Sequence, residues 1–338
     1  MKNKQIVFTA PWKVELLVDE LSYNPPVLRP GQALVKKRYT LISPGTELAC
    51  LSGGEGWFSM PGIPGYAAVS EVVALGEETA GIAVGDLIFH YGKHCLYEVV
   101  PTSGVFLKAP ANMDLRLIPF TRLATVAMTA IRVSQIELGD TIAVTGLGLV
   151  GNMASQLAKL QGANVIGIDL SEERLKLAGQ CGLYLGLSAA DGDVVSQIRK
   201  ATSGVGVSTL IEATGVPKVA VDSLPMIAQF GELIFLGSPR GEYTVNVTDV
   251  FNYSHLIGKG AITFKGAHEW RYPLEPDNYV KHSLVRNSNV VLELISNNRL
   301  VIEPLISHIM KPEEAAVAYE GLRLHKDRYH GVLFDWSE

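Results

Sequence analysis

The feature that most constrains this chain is a glycine turn set between two regular runs. Thr141-Ile142-Ala143-Val144-Thr145 is apolar and β-branched, the pattern of a buried strand. Gly146-Leu147-Gly148-Leu149-Val150-Gly151 follows at once, and helical spacing continues through Leu157 and Leu160 to Gln161. In a G-x-G-x-x-G turn that joins a strand to a helix, each glycine has a mechanical reason. Gly146 lets the chain reverse, Gly148 removes a Cβ where a phosphate would approach, and Gly151 lets the helix lie on the strand. The helix N-terminus then offers free N–H groups and partial positive charge to an anion.

A second apolar run, Asn164-Val165-Ile166-Gly167-Ile168, ends in Asp169, close to the offset of about 20 residues at which an acidic side chain meets an adenosine ribose. Its carboxylate accepts from ribose hydroxyls and would repel a 2'-phosphate, which favours NAD over NADP. Gly146, Gly148, Leu149, Val150, Gly151, Asp169 and Leu170 are the expected cofactor contacts. Arg174 lies nearby, where it would stack on adenine or tolerate a phosphate.

From about residue 120 strands and helical periods alternate, with later strands expected at Thr209–Ile211, Leu233–Leu236 and Ala261–Phe264. The economical fold is α/β, a doubly wound parallel sheet. Thr214, Gly215, Gly237 and Ser238 end strands of that sheet and are expected at its ligand crevice, although the two glycines read equally well as turn formers. Residues 5 to about 110 differ: short β runs such as Ala33–Lys37 and Ala68–Val73 are broken by Gly and Pro, an irregular β domain. Two domains suit 338 residues. The expected division is 1–119 completed by 272–338, with 120–271 as the nucleotide domain. The final part reads as helix at Val290–Ile295 and Lys311–Ala316 before a strand at Gly331–Phe334.

Composition removes several function classes. A net charge of −5 without Lys/Arg runs offers nothing to nucleic acid. The apolar stretch near the N-terminus is too short for a signal peptide, and no run approaches the roughly 18 apolar residues of a membrane span. A cytoplasmic protein acting on a small molecule is expected. Cys50, Cys95 and Cys181 are too scattered for a disulfide framework or a metal site.

Pro30-Gly31-Gln32-Ala33-Leu34-Val35, Ile63-Pro64-Gly65, Val84-Gly85-Asp86, Leu138-Gly139-Asp140 and the nucleotide turn occur in an order that resembles the medium-chain dehydrogenase/reductase family, zinc-type alcohol dehydrogenase-like, over nearly the whole chain. The resemblance implies a GroES-like β domain with substrate contacts, a Rossmann domain binding NAD(P), and a homodimer or homotetramer. Many members hold a catalytic zinc through a Cys, a Gly-His-Glu segment and a further ligand. Here Pro44 stands at the first position, Gly65-Tyr66-Ala67 at the second and Arg122 at the third. Proline and alanine side chains have no donor atom, and a guanidinium repels a dication. The chain therefore resembles a branch without that zinc, which implies oxidation of a secondary alcohol, of a sugar or cyclitol for instance, or reduction of its ketone.

Without a metal, some residue must stabilise the alkoxide and move its proton. Tyr66 is the first candidate, against packing as its ordinary role. Thr46 matches the hydroxyl relay of zinc relatives, Ala49 replaces the histidine that ends that relay in some of them, and Thr129 resembles a family residue beside the nicotinamide, an expected cofactor contact. His268, in Lys265-Gly266-Ala267-His268-Glu269-Trp270-Arg271, is a third catalytic candidate. Glu47, His94 and Arg122 are candidate substrate contacts, with a structural role the favoured reading for Glu47. Two other functions stay open: reduction of a quinone or enone double bond on the same fold, and a non-catalytic dinucleotide sensor.

Overall fold

The computed structural model describes residues 2–20 and 28–337, and the chain divides into two compact units, Met1–Leu123 with Tyr272–Glu338, and Ala124–Arg271. The first unit opens with a hairpin of β1 (Lys2–Ala10) and β2 (Lys13–Glu20). It continues through β3 (Gln32–Leu41), a helix α1 (Pro44–Leu51), β4 (Ala68–Leu75), β5 (Leu87–His90), β6 (Tyr97–Pro101) and β7 (Phe106–Lys108). Helix α2 (Phe120–Val133) carries the chain into the second unit, and the division between Leu123 and Ala124 lies within it.

The second unit alternates regularly: β8 (Thr141–Thr145), α3 (Leu149–Leu160), β9 (Asn164–Asp169), α4 (Glu172–Gln180), β10 (Leu185–Ser188), α5 (Val194–Ala201), β11 (Val207–Glu212), α6 (Pro217–Asp222), β12 (Ile227–Phe235), α7 (Val247–His255) and β13 (Thr263–Gly266). Its strands lie in the order β10-β9-β8-β11-β12-β13 and every pair is parallel. A parallel sheet is covered on both faces, which explains the near-continuous apolar runs that Ala143, Ile166, Leu210 and Leu233 belong to. The last strand starts two residues later than expected. Ala261 takes a positive φ of 48° and its N–H bonds Leu256 O, so extended pairing begins only beyond it.

The chain then returns to the first unit as α8 (Leu284–Ser296), β14 (Ile306–Met310), α9 (Ala315–Leu324) and β15 (Gly331–Asp335). These strands complete a sheet ordered β14-β15-β3-β4-β5-β7, with β6 also on β3. Its main core gathers Ile6, Phe8, Ile42, Leu51, Tyr319, Phe334 and Trp336, so α1 and α9 pack with β1 and β15 around one cluster. Among the described residues no helix is long and apolar enough to cross a membrane.

Polar groups are also built into this unit. Lys37 is fully buried, and its Nζ donates to Glu98 Oε2 at 2.6 Å. Beside it the His90 ring is buried, with Nε2 2.7 Å from Ser70 Oγ. Burial first, and then the Lys37 cation, hold the His90 pKa well below the ordinary histidine range. An unfolded chain protonates this histidine near pH 6.5, so the stability due to neutral His90 is complete above that pH and is lost as the pH falls below it, at up to about 1.4 kcal/mol per pH unit. Tm measured from pH 7.5 to 5 should therefore fall less steeply in His90→Gln than in the wild type, and parallel profiles would show that His90 does not titrate on unfolding.

Candidate active site

The nucleotide turn is assembled as its glycines require. Gly146 leaves β8 at φ 84°, and its N–H bonds Ile168 O on β9 at 2.8 Å. A Cβ on Gly151 would lie 1.8 Å from Gly146 O, so any side chain there would drive α3 off the turn. A Cβ on Gly148 would meet nothing within 4 Å, which leaves open space above the turn. Gly148 is the N-cap of α3, no side chain caps that end, and its first turn holds no acidic residue. These features fit a pyrophosphate, with Leu149 and Val150 supplying N–H groups of the first turn.

Asp169 sits at the carboxyl end of β9 and is nearly buried. Its Oδ2 accepts from Leu147 N at 2.6 Å and its Oδ1 from Ser171 N at 2.9 Å, so the carboxylate ties the turn to the neighbouring strand. A carboxylate oxygen accepts more than one hydrogen bond, so both retain capacity for ribose hydroxyls. Arg174 Nη1 lies 3.8 Å from Oδ2, and Leu170 is exposed beside it as an apolar surface.

Glu212, which the sequence reading missed, organises the end of β11. Its Oε1 accepts from Thr214 N at 2.7 Å and from the Thr214 hydroxyl, and its Oε2 from Gly215 N at 3.1 Å. Burial raises its pKa, against the pull of these donors. The Thr214–Gly215 turn is thereby held, and a Cβ on Gly215 would strike Ser238 O, so this strand end and the one carrying Gly237 and Ser238 approach closely. Thr129, expected as a cofactor contact, is fully buried, and its hydroxyl donates to Thr125 O one turn back in α2 at 3.3 Å.

In the first unit, the Ser43–Leu48 segment forms the start of α1, where an irregular β region had been expected. Pro44 occupies a first-turn position at which its missing N–H costs no bond. Glu47 reaches back, with Oε1 accepting from Ser43 N at 2.8 Å. Its Oε2 accepts from Tyr319 Oη at 2.5 Å and from His94 Nε2 at 3.0 Å. The other ring nitrogen of His94 lies 2.7 Å from Thr40 Oγ1, which also accepts from Trp336 Nε1 at 2.9 Å. Both Glu47 and His94 are buried with these polar atoms engaged inside the unit. Glu47 thus sits in a framework, as the structural reading favoured for it expects, and His94, a candidate substrate contact, has both ring nitrogens engaged in the same framework.

Tyr66 and Arg122 do come together. The Arg122 guanidinium lies 4.8 Å from the centre of the Tyr66 ring and 4.3 Å from that of Tyr91, a cation held between two aromatic faces. The Tyr66 phenol is half-buried and bonds Ser43 Oγ at 2.5 Å. Burial raises its pKa, while the Arg122 charge and the hydroxyls of Ser43 and Thr46 act in the opposite sense. Tyr66 is thus a phenol at neutral pH with a cation and two hydroxyls beside it. Ser43, Tyr91 and Tyr319 were not singled out from the sequence, since their partners lie between 23 and 272 residues away or on another element. His268 belongs to the second unit, where it is exposed after β13; Lys265 is paired there with Glu232 at 2.5 Å.

Comparison with known proteins agrees with this architecture. Residues 150–275 match the family described as zinc-binding dehydrogenase. The chain is 30% identical over 228 residues to the L-threonine 3-dehydrogenase of Bacillus subtilis, which is 67% of this chain and 60% of that protein. It is 27% identical over 262 residues to the D-guloside 3-dehydrogenase of Shigella flexneri, 74% of this chain and 71% of that protein. The crystal structure of galactitol-1-phosphate dehydrogenase from Escherichia coli superposes with a TM-score of 0.83 at 18% identity, covering 98% of this chain and 99% of that one.

Gly151→Ala isolates the helix-on-turn contact. Its Cβ cannot fit without moving the turn, so NADH affinity measured by fluorescence titration should drop at least about tenfold and Tm should fall by several degrees. Unchanged values for both would show that α3 does not rest on Gly146 as described.

Proposed function

Since the chain belongs to the zinc-type alcohol dehydrogenase-like medium-chain dehydrogenase/reductase family, we propose that it is an NAD-dependent, zinc-independent dehydrogenase that interconverts a secondary alcohol and its ketone. The observation that carries this reading is the Tyr66 phenol set between the Arg122 guanidinium and the hydroxyls of Ser43 and Thr46. The residues at the zinc-ligand positions implied by the family, Pro44, Tyr66 with Ala67, and Arg122, do not fit a zinc ion, because they offer no thiolate, imidazole or carboxylate and they hold a cation.

The nucleotide fits the second unit. The α3 N-terminus receives the pyrophosphate, and Asp169, Leu170 and Arg174 receive the adenosine end. When bound, the nicotinamide carries the hydride. The remaining chemistry belongs to the protein. In ketone reduction negative charge grows on the carbonyl oxygen as its carbon gains hydride; the Tyr66 O–H bond breaks, and its proton forms the O–H bond of the alcohol. Arg122 stabilises the phenolate left behind, which then takes a proton from water. In alcohol oxidation the proton runs the other way, and Tyr66 must first be ionised.

A compact polar substrate, a polyol or sugar derivative, suits a site whose named groups are a phenol, a hydroxyl and a guanidinium, and the names of the relatives L-threonine 3-dehydrogenase and D-guloside 3-dehydrogenase support it. A homo-oligomer is part of the same proposal. Exposed Phe230, Phe251 and Ile257 lie close to the β13 end of the nucleotide sheet and support association there.

The test is a cofactor-coupled screen of polyols, sugars and enones, with metal analysis of the same sample. Oxidation of a secondary alcohol with NAD and without stoichiometric metal is expected; turnover that requires zinc, or confined to enone double bonds, overturns the reading. With the substrate in hand, Tyr66→Phe should lower kcat by about 10²–10⁴. Alcohol oxidation should accelerate as the pH rises above neutrality, because the raised Tyr66 pKa delays formation of the base. Asp169→Ala should narrow the preference for NADH over NADPH by about tenfold in Kd, and an unchanged ratio would remove Asp169 from that role.

A further inference from the structure

Ser43 stands where a helix-capping serine stands but does not cap. It is the N-cap residue of α1, with extended backbone at φ −95° and ψ 95°, and a serine there ordinarily turns its Oγ onto the N–H of the second or third residue. Here no such bond is made. Pro44 has no N–H to offer. The reverse contact is present, since Glu47 Oε1 takes the Ser43 N–H, and Glu47 is itself locked by Tyr319 and His94. The helix start is therefore fixed through the Ser43 main chain, and the hydroxyl is spent on Tyr66, 2.5 Å away.

We propose that Ser43 is a positioning residue for Tyr66, released from its capping role by Glu47, and that its hydroxyl holds the phenol in line while it is protonated and donates to the phenolate after the proton has left. This inference rests on the assignment of Tyr66 as the proton donor. A hydroxyl suits the task because it both accepts and donates and turns about one bond to change between them. The surrounding groups are accounted for. Arg122 faces the Tyr66 ring, Thr46 favours the ionised phenol, and the Glu47 carboxylate, occupied by its own three donors, opposes that ionisation by its charge. Without Ser43 the phenolate loses a donor, so Tyr66 becomes a weaker acid.

The experiment compares Ser43→Ala and Ser43→Thr with the wild type and with Tyr66→Phe. Four readouts are taken on the whole enzyme: Tm, kcat and KM for the alcohol found by screening, the pH profile of kcat, and the ¹³Cζ NMR signal of Tyr66, identified by its loss in Tyr66→Phe. In Ser43→Ala, Tm should stay within about 1 °C of the wild type, because no capping bond is lost. The ¹³Cζ signal should move, kcat should fall about tenfold with KM within about twofold, and the alkaline limb of the profile should shift to higher pH. Ser43→Thr, which keeps the hydroxyl, should restore most of kcat. A fall in Tm with wild-type kcat and profile would make Ser43 an ordinary cap and overturn the proposal, as would wild-type kcat with a moved signal. Full activity in Tyr66→Phe would instead refute the assignment of Tyr66 itself.

Discussion

The buried carboxylate of Glu47 is the constraint on which the first unit turns. A charge taken from water is tolerated only when donors replace its solvation, and Glu47 has three: the Ser43 N–H, the Tyr319 hydroxyl and the His94 ring. Each donor belongs to a different part of the chain, so satisfying one carboxylate fixes the start of α1 against α9 and against the loop before β6. Through His94 and Thr40 the same network reaches Trp336 beyond β15. The C-terminal segment thus completes the framework around the proposed site, whose candidate residues lie between residues 43 and 122.

The second unit depends on a different kind of constraint, close approach of backbone. Gly151 rests on Gly146 O, and the Gly215 turn rests on Ser238 O, at distances no side chain permits. Two carboxylates then serve the turns: Asp169 holds the Leu147 amide, and Glu212 holds the amides of Thr214 and Gly215. The anion-binding end of α3 is left uncapped by side chains because its natural partner is the ligand. In the proposed function, rigid backbone would present the nucleotide and side-chain polarity would handle the proton. The division of labour follows from the chemistry, since a pyrophosphate is recognised by N–H groups and a proton requires a titratable side chain.

Arg122 shows how a cation is accommodated among aromatic side chains. A guanidinium in a partly dry site needs compensation, and two aromatic faces contribute to it. The same stacking sets positive charge beside the Tyr66 phenol, where the proposed mechanism needs a phenolate stabilised.

Much of the fold could be read from sequence because its signals are local. The strand-turn-helix of residues 141–161, Asp169 at the following strand end and the alternation from residue 120 onward depend on spacing, which one chain displays in full. The side chains that stand at Pro44, Ala67 and Arg122 are likewise read directly from the chain. The short elements did not announce themselves. β10 is four residues containing a glycine, and α1 begins with Pro44-Gly45, so each exists only because neighbours hold it. A structural role for Glu47 was already the favoured reading, but its partners, and the surroundings of His94 and Ser43, were decided by tertiary structure alone. Which atoms of a buried polar residue remain open depends on partners brought from as far as Tyr319, and no spacing in the sequence records that meeting.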